Sequence, residues 1–80
     1  MTLGNAYIKR LEQYLKDKSM TIYRFVKYSG ISRSAITNLT TNNSRSPTLK
    51  TIYLTARFFN VSILEFLDCD VFNDENLEIE

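Results

Sequence analysis

From Ser32 to Leu39 the chain reads Ser-Arg-Ser-Ala-Ile-Thr-Asn-Leu, and Arg33, Ser34, Thr37 and Asn38 carry hydrogen-bonding groups of short or moderate reach. At helical spacing, with Ile36 and Leu39 turned to a core, these four share the outward side. Their chemistry suits a helix laid along base edges in a major groove. Arg donates twice to guanine, Asn pairs twice with adenine, and Ser or Thr serves either base. No carboxylate occurs between Asp17 and Glu65, so the neighbourhood is open to a polyanion. On an arbitrary helix an exposed Arg is mostly a solubilising residue. The elements around Arg33 are what give it a different meaning.

Those elements begin at Thr21, whose hydroxyl can accept from a free backbone N–H at a helix start, with Met20 and Phe25 in hydrophobic-staple spacing. Phe25 and Val26 point to the core. Gly30 stops this helix in a left-handed turn, and Ser32 caps the next, with Ile31 and Ile36 again at staple spacing. Two short helices about a tight turn place the second across the first and leave one side of it exposed.

Upstream, Ile8, Leu11 and Leu15 with Tyr7 and Tyr14 predict an amphipathic helix from about Asn5 to Lys18. Downstream, Thr40 to Pro47 reads as a polar loop. Pro47 and Thr48 then start a fourth helix whose buried stripe is Leu49, Ile52, Ala56 and Phe59. Asn60 ends it, and Ser62 with Glu65 forms a capping box for a fifth helix, Ile63 to Leu67, stapled by Val61 and Phe66. Beyond Asp68 acids accumulate and fraying is expected. The sequence thus predicts an all-α fold, a compact five-helix bundle over residues 5–68, and an acidic C-terminal tail over 69–80.

The net charge of +1 conceals a strong polarity. Through Leu64 the chain holds ten cations against two carboxylates, Glu12 and Asp17, a net of +8, and the other seven acids follow from Glu65. A basic body is what phosphate binding needs. Eighty residues, 44 % of them hydrophobic, support one core without a sizeable catalytic cleft. No segment approaches the ~20 consecutive apolar residues that span a bilayer, and no hydrophobic signal region follows Lys9 and Arg10. One cysteine and no histidine exclude an internal disulfide and a Cys/His zinc site; no metal or cofactor is expected, and a reducing cytoplasm fits. Cys69, between Asp68 and Asp70, is expected to have no redox role. With neither histidine nor a Gly-rich phosphate loop, enzymatic function is not expected.

Taken with Thr21, Phe25, Val26, Gly30-Ile-Ser32, Ile36, Leu39, Pro47-Thr-Leu49, Ile52, Ala56 and Val61-Ser62, the chain from about Ile8 to Leu67 resembles the lambda repressor and Cro-type (XRE-family) helix-turn-helix domain. The resemblance implies a five-helix bundle that binds operator-like double-stranded DNA, usually as a dimer on a two-fold symmetric site. Carried over by position, it gives base contacts to Arg33, Ser34 and Asn38, with Thr37 beside them. It also gives phosphate contacts to Thr21, Tyr23, Asn43, Ser44, Arg45 and Lys50. The chain departs from the family at Ile22, where Gln is common, at Leu15 and Thr40, where an Arg and a Glu often pair, and at Asn60, which replaces a common Gly. An apolar contact is expected in place of the ion pair.

The sequence also suggests a homodimer. On the fourth helix Tyr53, Leu54 and Phe58 form a second apolar side that the core stripe does not use. Phe58, Ile63, Leu67, Val71 and Phe72 are the candidate dimer interface, against the alternative that Val71 and Phe72 fold back over their own chain. Tyr28, at the rim of the second helix, reads equally as packing or phosphate contact, and Lys9, Arg10 and Lys16 read as solvated. The functional expectation is a transcriptional regulator of phage or bacterial repressor type. The alternative is an antitoxin or anti-repressor that binds protein on the same scaffold. No small-molecule ligand is inferred.

Overall fold

Each α-helix among the described residues starts at a hydroxyl. The computed structural model describes residues 1–41, 46–73, 75 and 77. Within them lie α1 (Leu3–Asp17), α2 (Ile22–Ser29), α3 (Arg33–Thr41), α4 (Leu49–Phe58) and α5 (Ile63–Leu67), then a single 3-10 turn, Asp70–Phe72. The side-chain oxygens of Thr2, Thr21, Ser32, Thr48 and Ser62 accept from the backbone N–H three residues on, at 3.0 to 3.2 Å. Each bond satisfies an amide that the first helical turn leaves without a partner.

The helix ends follow a second rule. At the end of α1 Ser19 takes a left-handed φ of 52° and the Met20 N–H reaches back to Leu15 O. At the end of α4 Asn60 does the same at φ 58°, with Val61 N–H on Ala56 O. Both are Schellman closures, each placing an apolar residue after the turn. The expectation for Asn60 holds; α1 closes likewise on a serine.

Two boundaries differ from the sequence reading. Thr2 caps α1, so it starts at Leu3 instead of Asn5. Thr40 and Thr41, expected in the loop, continue α3; their hydroxyls donate to Ile36 O (2.9 Å) and Thr37 O (2.8 Å), one turn back in the same helix, instead of capping a new turn.

The core is aromatic. Phe59 stacks on Tyr14 of α1 (4.9 Å) and on Phe25 of α2 (5.8 Å), and meets Phe58 edge-on at 4.9 Å. Tyr14 continues the stack to Phe66 of α5 at 5.7 Å. Leu54 and Phe58 therefore pack against the core instead of forming a separate side, and Phe58 also meets Phe25 edge-on at 5.1 Å. Leu49 is the reverse correction: expected in the buried stripe, it is 69 % exposed, whereas Thr55 is fully buried. The Thr55 hydroxyl donates to Thr51 O (2.8 Å) and accepts from the buried Tyr7 hydroxyl at 2.7 Å, so a polar residue sits in the stripe at no unpaired cost. Beyond α5 the chain does not fray at once: the 3-10 turn lies on α1 and Phe72 meets Phe66 at 6.1 Å.

Arg10, expected to be solvated, is a structural residue. Its Nε donates to Phe66 O (2.8 Å) and its Nη2 to Glu65 O (3.0 Å), while the guanidinium lies over Tyr14 at 4.7 Å. It thereby satisfies carbonyls at the end of α5, a helix too short to be stable alone. Arg10→Ala is expected to cost about 1–3 kcal/mol, with Arg10→Lys intermediate because an ammonium lacks the planar fork. Urea denaturation checks this.

Burial pushes the Tyr7 hydroxyl up from 10.0 to about 12, against a smaller opposing effect of the Thr55 hydrogen bond. A raised native value means the unfolded chain releases this proton first, so the stability it confers is intact below pH 10 and declines as pH rises towards about 12. Tyr7→Phe should cost about 0.5–1.5 kcal/mol at neutral pH and lack this part of the alkaline decline. Thermal melts of both proteins from pH 8 upward measure it.

Candidate nucleic-acid interface

The turn between α2 and α3 is fixed by three residues. Gly30 takes φ +86°, the Ile31 N–H donates to the Ser29 hydroxyl at 3.1 Å, and Ile31 itself is buried. The turn is thereby anchored from both sides of its glycine. α3 then rests on buried Ile36 and Leu39, with Ala35 half-buried, and packs against α1, whereas α2 packs against α4.

The opposite side of α3 is free. Arg33, Ser34, Thr37 and Asn38 are all exposed, as the spacing predicts, and Thr41 joins them. Arg33 and Thr37 border a cleft on the α1 side, and Asn38 borders a shallow depression with Pro47, Thr48 and Thr51 at the start of α4. Ser34 lies between, its hydroxyl 3.2 Å from that of Ser32. Thr41 was not read as part of this side because the polar run from Thr40 resembles loop; its two neighbouring threonine hydroxyls were the available signal.

Of the expected phosphate contacts, Thr21, Tyr23 and Lys50 are exposed, while Asn43, Ser44 and Arg45 lie outside the described residues. The Thr21 oxygen already accepts from Arg24 N, so its hydroxyl hydrogen is free to donate outward. Lys50 sits in the first turn of α4. The first turns of α2, α3 and α4 carry no acid, so no carboxylate within them neutralises their positive ends. Arg24 and Lys27, which the sequence reading did not single out, lie on the same exposed side of α2 as Tyr23 and Tyr28. The Arg24 guanidinium is 5.7 Å and the Lys27 ammonium 5.5 Å from the Tyr28 ring. Their spacing about Tyr28 on one helix was the signal.

The candidate dimer residues Phe58, Ile63, Leu67, Val71 and Phe72 are each half-buried, all but Val71 packed against the chain's own core. Between Ile63 and Leu67, Leu64 stands 82 % exposed. Leu15 and Thr40, where the resemblance would place an ion pair, both line the cleft between α1 and α3.

The sequence profile described as "Cro/C1-type HTH DNA-binding domain" matches residues 10–71. The chain belongs to that family. No match was found among curated proteins or solved structures. The Cro/C1-type assignment agrees with the all-α, five-helix fold and makes this a DNA-binding domain. No helix among the described residues is long and apolar enough to cross a membrane.

Because a Cβ on Gly30 would meet only Leu54 Cδ1 at 4.0 Å, substitution there is limited by backbone conformation and not by space. Gly30→Ala is expected to cost roughly 1–2 kcal/mol, and Gly30→Asn less, since Asn tolerates the left-handed region. Equal losses from both, measured by urea denaturation, would show that the turn relaxes elsewhere.

Proposed function

We propose that this Cro/C1-type domain is a sequence-specific transcriptional regulator of phage or bacterial repressor type, with α3 in the major groove of a pseudo-palindromic operator. One observation carries the reading: Arg33, Ser34, Thr37 and Asn38 stand together on the free side of α3, the helix after the Gly30 turn, with no carboxylate on α2, α3 or α4. In this reading Arg33 reads guanine, Asn38 reads adenine, and Ser34 and Thr37 complete the set. Thr21, Tyr23 and Lys50, with Asn43, Ser44 and Arg45 from outside the described residues, grip phosphates and set register.

A helix of this size reads only a few base pairs, so the proposal includes a homodimer that doubles the contacts on a two-fold site. Phe58, Ile63, Leu67, Val71 and Phe72 each leave part of an apolar side chain outside the core, and Leu64 extends that surface. In this reading the basic body, residues 5–68, carries the DNA contacts, and the acids of residues 69–80 take no part in them, even though the turn Asp70–Phe72 packs on α1.

Selection of bound fragments from a random duplex library should return two inverted half-sites. Against the selected duplex, Arg33→Ala should lose about 1–3 kcal/mol and relax preference at one base pair. Lys50→Ala should weaken all duplexes alike and reduce the salt slope by about one phosphate contact. A library that returns no preferred sequence would overturn the regulator reading; a single half-site would overturn the dimer.

A further inference from the structure

Along its exposed side α2 presents Tyr23, Arg24, Lys27 and Tyr28, and the two rings are 67 % and 63 % exposed. The Arg24 guanidinium and the Lys27 ammonium converge on the Tyr28 ring, 5.7 and 5.5 Å from its centroid. With Thr21 these side chains line one shallow depression. Tyr28 also borders a second, shared with Gly30, Leu54 and Arg57, so the row continues across the Gly30 turn onto α4. Neither α2 nor α4 contains a carboxylate.

Helix ends account for part of this grouping. Lys27 and Arg57 lie in the last turns of their helices, where a cation is favourable in itself. Arg24 is placed against that rule: it stands in the first turn of α2, at the positive end, and one turn before a second cation, Lys27. Both neighbours disfavour it. Its position over the Tyr28 ring offsets some of that cost, and a polyanion laid along the row removes the rest.

The path of that polyanion follows from α3. A helix with its side chains is ~10–12 Å across and a major groove ~12 Å wide, so α3 fills the groove and the elements beside it meet the sugar-phosphate ridges. The row starts at Thr21, already proposed as a phosphate contact, and passes the turn that leads into α3, yet no residue of α3 lines either depression. We propose that Arg24, Lys27 and Arg57, with the Tyr28 hydroxyl, grip the backbone of duplex DNA outside the base pairs that α3 reads. The contact lengthens the bound site and adds affinity without sequence preference. Its position on the duplex rests on the placement of α3 proposed above; the affinity of the row for phosphates does not.

The experiment measures duplex affinity of the full chain against salt. It compares wild type with an alanine triple (Arg24→Ala, Lys27→Ala, Arg57→Ala) and a charge-keeping triple (Arg24→Lys, Lys27→Arg, Arg57→Lys). On a random-sequence duplex the alanine triple should lower the salt slope by about three phosphate contacts, and each single alanine variant by about one, which keeps the test if the triple fails to fold. The charge-keeping triple should retain the wild-type slope. On the selected duplex the alanine triple should keep the wild-type base preference. Trimming that duplex to its outermost preferred base pairs should cost wild type about tenfold and the alanine triple little. Equal slopes for wild type and the alanine variants would overturn the contact. A wild-type affinity unmoved by trimming would overturn its position outside the base pairs read. Poly-L-glutamate that binds wild type and not the alanine triple, with duplex slopes equal, would give the row to an acidic protein instead. A library with no preferred sequence, together with a lowered slope in the alanine variants, would remove the regulator reading and leave the phosphate contact standing.

Discussion

Phe59 is the point at which this small bundle is held together. Its ring touches Tyr14 from α1, Phe25 from α2 and Phe58 from α4, and through Tyr14 the stack reaches Phe66 of α5. Aromatic rings bury much area for few lost rotatable bonds, an economy that a domain of this length requires. Four of the five helices contribute rings to the stack. α3 contributes none, and is seated only by the aliphatic residues Ile36 and Leu39 with Ala35 at the margin. That seating uses one narrow stripe of α3 and leaves its remaining sides open to contact with another molecule.

Freedom of this kind is useful only if the helix is also oriented, and orientation comes from the turn. Gly30 sets the direction of reversal, Ile31 plugs the turn into the core, and Ser32 fixes the first residue of α3 by its cap. The exposed set Arg33, Ser34, Thr37 and Asn38 is thus placed by backbone chemistry a few residues away and not by contacts of its own. Side chains that make few bonds within the chain keep their donors and acceptors for a ligand.

How much of this is legible in sequence depends on whether the deciding interaction is local. The capping hydroxyls of Thr21, Ser32, Thr48 and Ser62, the Gly30 turn, the Asn60 turn and the span of α5 are all decided within a few residues, and each was readable, whereas the Thr2 cap was not. Leu49 and Thr55 were not: the Tyr7 hydroxyl, 48 residues away, makes Thr55 acceptable in the core, while Leu49, on the same helical stripe as buried Ala56, is the first residue of α4 and stands exposed there. Arg10 is the same lesson in charge, since its partners at Glu65 and Phe66 are 55 and 56 residues distant. Thr40 and Thr41 failed for a different reason. Composition alone says loop, whereas both hydroxyls bond back to α3 carbonyls four residues earlier, an arrangement a helix accommodates.

The distribution of charge carries the functional reading one step further. α3 holds a single formal charge, Arg33, among nine residues. A reading surface so nearly neutral discriminates by hydrogen-bond geometry but gains little from the polyelectrolyte character of DNA. In the proposed mode, most of the affinity must then come from cations on other elements, among them Lys50 at the start of α4 and Arg24 and Lys27 along α2, while Arg10 is committed to α5 and unavailable. Salt should act chiefly on those elements, leaving base preference on α3 nearly unaffected. In that mode, separation of this kind lets the neutral threonines and Asn38 of α3 vary without loss of general DNA affinity.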